Sequence, residues 1–116
     1  MKKLTLLLLL AATAGCQKHD PATDEFEVQT QGRNYDCGKA QVVVKDPEKV
    51  ARVVGESLLR GNTYLALKLD TALWLHQNQT LLLRIRRPTD DESLFICHAL
   101  GPAYPALTVV SARVKP

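Results

Sequence analysis

Hydrophobic positions in this chain fall into short runs with two different periods. Ala40-Gln41-Val42-Val43-Val44-Lys45 is a β-branched run closed by Asp46-Pro47, which predicts a strand. Asp46 then offers the side chain of a helix N-cap, and Pro47 the fixed φ of a first helical position. Val50, Val53, Val54, Ser57 and Leu58 follow at the spacing of one helical face. Three valines and Gly55 oppose a helix, so residues 47–59 stay open between helix and strand.

Past the Arg60-Gly61-Asn62 turn, Leu65, Leu67 and Leu69 alternate with Tyr64, Ala66 and Lys68. This predicts a half-buried strand with the leucines inside and Tyr64 and Lys68 outside. Asp70 is placed to cap one helical turn carrying Leu73 and Trp74. Leu81, Leu83 and Ile85 form one face of the next strand, Leu82, Arg84 and Arg86 the other, and Pro88 ends it. Thr89-Asp90-Asp91-Glu92 reads as an exposed turn and Leu94-Phe95-Ile96 as a short apolar segment. Gly101 to Pro105 reads as a rigid corner whose Tyr104 packs against Trp74, and Leu107 to Val114 as the last strand. Four or five short strands with one or two short helices predict a mainly β domain, a small antiparallel barrel or sandwich.

The N-terminal run is of another kind. Lys2 and Lys3 precede Leu4 to Ala14, an 11-residue apolar stretch broken only by threonines, and Gly15-Cys16 follows. A basic start, an apolar run and small residues are the order of an export signal. Eleven residues fall short of the ~20 needed to cross a bilayer. The formal charge of +3 rests on 15 basic and 12 acidic residues, and losing Lys2 and Lys3 with the leader leaves about +1. A nearly neutral mature chain argues against a general nucleic-acid binder.

Thr13-Ala14-Gly15-Cys16 resembles the lipobox of bacterial lipoproteins. The resemblance implies a signal peptide over residues 1–15, a diacylglycerol on Cys16 and a membrane partner through that lipid. Gln17 in place of aspartate implies outer-membrane sorting, and Lys18-His19-Asp20 leaves the periplasmic and cell-surface sides both open. Gln17 to Glu25 has no aliphatic side chain larger than alanine and cannot offset its ordering entropy by burial. A lipidated cysteine and flexible tether are thus expected over 16–36, although composition already shifts near Phe26, and the folded domain over 37–116.

With Cys16 assigned to lipid, Cys37 and Cys97 remain as a pair, either bridged or as two independent thiols. An exported compartment permits the bridge, which closes a span of 60 residues. Taken in order, Cys37-Gly38, Tyr64 to Leu69, Arg84-Ile85-Arg86-Arg87-Pro88, Cys97 and Gly101-Pro102-Ala103-Tyr104-Pro105 resemble small single-domain bacterial lipoproteins. That resemblance implies an OB-like five-stranded barrel and a disulfide, and it brings no active site.

Candidate chemistry is sparse. His19, His76 and His98 are scattered, and adjacent Cys97 and His98 point to opposite faces of an extended chain, so no metal ligand set converges. Asp90-Asp91-Glu92 lacks the alternation and glycine of a calcium loop. Ser57, Ser93 and Ser111 lack a nucleophile-elbow context. No catalytic residue and no cofactor is assigned, and an enzyme is not expected. The candidate ligand face is Tyr64, Lys68, Arg84 and Arg86, guanidinium and ammonium groups beside an aromatic ring, suited to an anionic glycan. The same charges on an outward strand face also serve simple solvation. Two functions remain: a lipid-anchored, non-catalytic envelope binding module, or a protein-directed module such as an inhibitor of a lytic enzyme or an accessory subunit.

Overall fold

The computed structural model describes residues 24–55, 61–99 and 101–116. Five strands, β1 (Phe26–Arg33), β2 (Ala40–Val44), β3 (Thr63–Leu67), β4 (Thr80–Arg86) and β5 (Ala106–Val114), close into a barrel in the order β1-β2-β3-β5-β4. Helix α1 (Pro47–Val54) joins β2 to β3, and one helical turn, α2 (Thr71–Trp74), lies between β3 and β4. Closure pairs every strand on both sides and leaves no open sheet edge. The mainly β, OB-like expectation holds, with one refinement. Four pairings are antiparallel, but β3 and β5 run parallel, because β4 intervenes between them in the chain and pairs with β1.

The barrel begins earlier than the expected boundary at residue 37. Phe26, Val28 and Thr30 are buried and alternate with Glu27, Gln29 and Gln31, so β1 lies where a tether was expected. Only two of its inward residues are large and apolar, which is why the segment reads as polar. Thr30 holds its place by hydrogen bonds: its Oγ1 donates to the His76 carbonyl at 2.9 Å and accepts from Gln79 N at 3.0 Å. The signal segment, Cys16, the tether up to Thr23, and Ser57, Leu58 and Arg60 lie outside the described residues.

Within the segment left open between helix and strand, Pro47–Val54 is a helix. Asp46 Oδ1 accepts from Lys49 N, Pro47 opens the first turn, and Gly55, at φ 79°, closes the last by donating its N–H to the Ala51 carbonyl at 2.8 Å. A left-handed C-cap is where glycine's freedom is needed. Val50 and Val54 bury against the barrel, and tertiary packing outweighs the low helix propensity of valine. Asp70 caps α2 as expected, and buried Trp74 donates Nε1–H to the Leu69 carbonyl at 3.0 Å. No helix among the described residues is long and apolar enough to cross a membrane.

The predicted parity of β3 is reversed. Tyr64 pairs with Val42 and Ala66 with Ala40, and directly opposed residues share a face. Val42 and Ala40 belong to the barrel interior, so Tyr64 and Ala66 do too. Leu65 and Leu67 fall on the outer side and are nevertheless buried. Lys68 then takes φ 63°, a left-handed conformation uncommon for lysine, which breaks the alternation and returns Leu69 to the core.

Candidate functional site

The four residues of the predicted ligand face do not share one exposed surface. Tyr64 is 1% exposed. Lys68 and Arg86 converge on Glu92 and are occupied by it. The Arg86 guanidinium is held by both carboxylate oxygens, Nη1 to Oε1 at 2.8 Å and Nη2 to Oε2 at 2.6 Å, while Lys68 Nζ stands 3.2 Å from Oε2. Arg84 lies apart, exposed and close enough to act electrostatically on Glu25, which is itself gripped by Arg113 through two contacts of 2.8 Å.

Glu92, expected in an exposed turn, is instead the acid on which Arg86 and Lys68 converge. Thr89-x-x-Glu92 is a capping box: Thr89 N donates to Glu92 Oε1 at 2.9 Å and Glu92 N to Thr89 Oγ1 at 3.2 Å. Its spacing was visible in the sequence, without the apolar run that usually accompanies the motif. Buried Thr108 on β5 adds a hydroxyl donor at 2.9 Å. The Arg86 hydrogen bonds, then the Thr89 N–H, hold the Glu92 carboxyl far below the usual carboxylate range, and the same pair raises Arg86. Glu92 thereby pins the β4–β5 connection to the outer side of the barrel.

Strand register brings that connection to the β1–β2 turn. Ala40 lies beside Ala66, Leu67 beside Thr108, and Thr108 beside Arg86, so the start of β2, the end of β3, the start of β5 and the end of β4 are level. The β1–β2 turn is ordered by Asn34, whose Oδ1 accepts from Asp36 N at 3.0 Å and Cys37 N at 2.6 Å, and whose Nδ2 donates to Gln41 Oε1 at 2.7 Å. Cys37 in this turn and Cys97 in the β4–β5 connection form the disulfide, with Cα atoms 4.2 Å apart. His98 N donates to the Asp36 carbonyl at 3.2 Å beside it. The Asp36 carboxylate and the two sulfurs lie within 4.8 Å of one another, but sulfurs spent in an S–S bond are not thiolate ligands.

Large apolar side chains stand out on both sides of this bridge. Tyr35 is 90% exposed, Leu94 81% and Ile96 85%. The Leu94-Phe95-Ile96 segment is thus irregular and mostly outward, not a core element. Two clefts lie between the bridged loops. One, of about 450 Å³, is lined by Lys39, Leu67, Trp74, Glu92, Leu94 and Phe95, with Lys39 Nζ 5.4 Å from the Phe95 ring centre. The other, of about 200 Å³, is lined by Asn34, Tyr35, Asp36, Gln41, Pro102 and Tyr104. Tyr104 therefore lines a cleft with Tyr35, whereas Trp74 lies 5.0 Å beneath the Arg33 guanidinium. Each cleft has walls from both bridged loops, so the disulfide fixes the shape of both.

No protein-family model, curated protein or solved structure matches the chain.

Proposed function

We propose that this chain is a lipid-anchored envelope lipoprotein whose barrel is a non-catalytic docking module for another envelope protein. The observation that carries the reading is the pair of covalently joined loops displaying Tyr35, Leu94 and Ile96 at 81–90% exposure. Exposed apolar side chains on a surface that is already ordered lower the entropy cost of association, and aromatic anchors beside polar clefts are a common composition of protein interfaces. The alternative of an anionic-glycan face is weakened where Glu92 engages both Lys68 and Arg86 and Tyr64 is buried. A disulfide agrees with an oxidising compartment, and the Lys2-Lys3, Leu4–Ala14, Gly15-Cys16 sequence supports export and acylation.

Two measurements test this reading. Radiolabelled palmitate fed to expressing cells is expected in the full chain and absent after Cys16→Ser; an unlabelled native chain contradicts the anchor. A photoreactive residue at Leu94 is expected to capture one discrete protein in the intact envelope. Absence of a protein adduct contradicts the docking role.

A further inference from the structure

A second surface, separate from the bridged loops, has the composition of a lipid site. A cleft of about 560 Å³ opens between α1, the end of β4 and the start of β1, within the ~300–1,000 Å³ of small-ligand sites. Phe26, Val53 and Ile85 give it an apolar floor, while Lys49, Arg52, Arg86 and Arg87 stand around it against a single carboxylate, Asp24, among the described lining residues.

The four cations differ in availability. Arg86 is committed to Glu92. Among the described residues, Lys49 and Arg52 pair at the surface with the N-cap Asp46 at 3.7 Å and with Glu48 at 3.2 Å, and such exposed pairs are weak. Arg87 lies over the helix C-cap, where a Cβ on Gly55 would stand 3.2 Å from its Nη1. Glycine at residue 55 therefore leaves room for the guanidinium at the cleft mouth.

Charge and shape together select the occupant. Apolar side chains with cations at the rim fit an acyl chain that carries an anionic head. The chain's own N-terminal segment is a poor match: Leu4 to Leu10 is preceded by Lys2 and Lys3 with no acid, and Gln17 to Asp24 has no aliphatic side chain larger than alanine. We propose that this cleft binds an anionic lipid, its acyl chain on Phe26, Val53 and Ile85 and its carboxylate or phosphate between Lys49, Arg52 and Arg87. This goes beyond the docking role of the bridged loops and does not depend on it.

The test places a photoreactive residue at Val53 in the full chain, irradiates it in the intact bacterial envelope and identifies the adduct by mass spectrometry. The expected adduct is a lipid with a carboxylate or acidic phosphate head, and its mass separates a free fatty acid from a phospholipid. Arg52→Glu with Arg87→Glu is expected to lower its yield about ten-fold, the loss of one or more charge-assisted contacts, while Arg84→Glu leaves it unchanged. A label at exposed Val110 should give no such adduct. A protein adduct, an adduct to residues 17–23, a lipid mixture matching the bulk membrane, an unchanged yield in the double variant, or no adduct overturns the proposal. Cys37–Cys97 oxidation, read by thiol blocking in the same sample, reports folding. If the label at Val53 prevents folding, a label at Asp24, which lines the same cleft and is no part of the proposed head-group contact, answers the same question.

Discussion

The Glu92 carboxylate meets the Arg86 guanidinium edge to edge, with both oxygens engaged at 2.8 and 2.6 Å. Because Thr108 and Thr89 also donate to Glu92 Oε1, this one acid joins the end of β4, the start of β5 and the connection between them.

The pairing has a pH signature of fixed sign. Folding keeps Glu92 ionised to lower pH than the unfolded chain does, since its carboxyl is depressed from an ordinary value of 4.5. The unfolded state therefore binds more protons as pH falls, and stability is present above that value and lost below it. Glu25, lowered by Arg113, and Glu27, lowered by Lys115, act in the same direction. Thermal midpoints between pH 7 and about pH 3 should fall for the native chain, and Glu92→Gln should be less stable near neutrality. The two curves are expected to converge in acid; a constant gap excludes the assignment.

Tyr64 is a core residue, and its truncation should be felt as stability. Tyr64→Ala is expected to cost about 3–5 kcal/mol, the range for removing a large buried aromatic, as measured by urea unfolding. A cost below about 1 kcal/mol, the ordinary behaviour of a surface site, contradicts its interior placement.

Thr30 makes a different test, because its contribution is polar. Thr30→Val keeps the shape but leaves the His76 carbonyl and Gln79 N–H without their hydroxyl partner. A loss of about 1 kcal/mol is expected for two part-buried hydrogen bonds. Hydrogen exchange at Gln79 should accelerate in the same variant, locating the effect in the turn before β4.

The disulfide braces the domain as well as its loops. Replacing both Cys37 and Cys97 by serine opens a 60-residue loop, worth about 4 kcal/mol in the chain-entropy description. Denaturant titration of the native and doubly substituted chains measures that difference; equal midpoints contradict a bracing role.

Much of the fold was legible because local chemistry and tertiary structure agree. Asp46-Pro47 opens α1 as its cap requires, whereas Gly55, which counts against a helix by propensity, is its C-cap, and the Leu81, Leu83, Ile85 face of β4 is the interior face. The cysteine pair was legible once Cys16 was set aside. Legibility failed where a strand face meets another part of the chain instead of water. β3 shows alternating leucines, yet the cross-strand partners of Tyr64 and Ala66 place those two inside, and Leu65 and Leu67 are buried on the outer side. The basic face failed for a related reason. Arg86 and Lys68 read as free cations because their partner, Glu92, sits in a turn whose fold over β5 no periodicity encodes. β1 was hidden by polar outward residues between its buried Phe26, Val28 and Thr30.

Photo-crosslinking from Leu94 in the full chain, with Tyr35→Asp as the comparison, decides whether the bridged loops are a docking surface. Tyr35 is 90% exposed, so its substitution should change stability by no more than about 0.5 kcal/mol. One discrete protein adduct is expected from the native chain, lost in Tyr35→Asp at unchanged thermal midpoint. No protein adduct, a ladder of unrelated proteins, or equal capture by Tyr35→Asp would contradict the docking role.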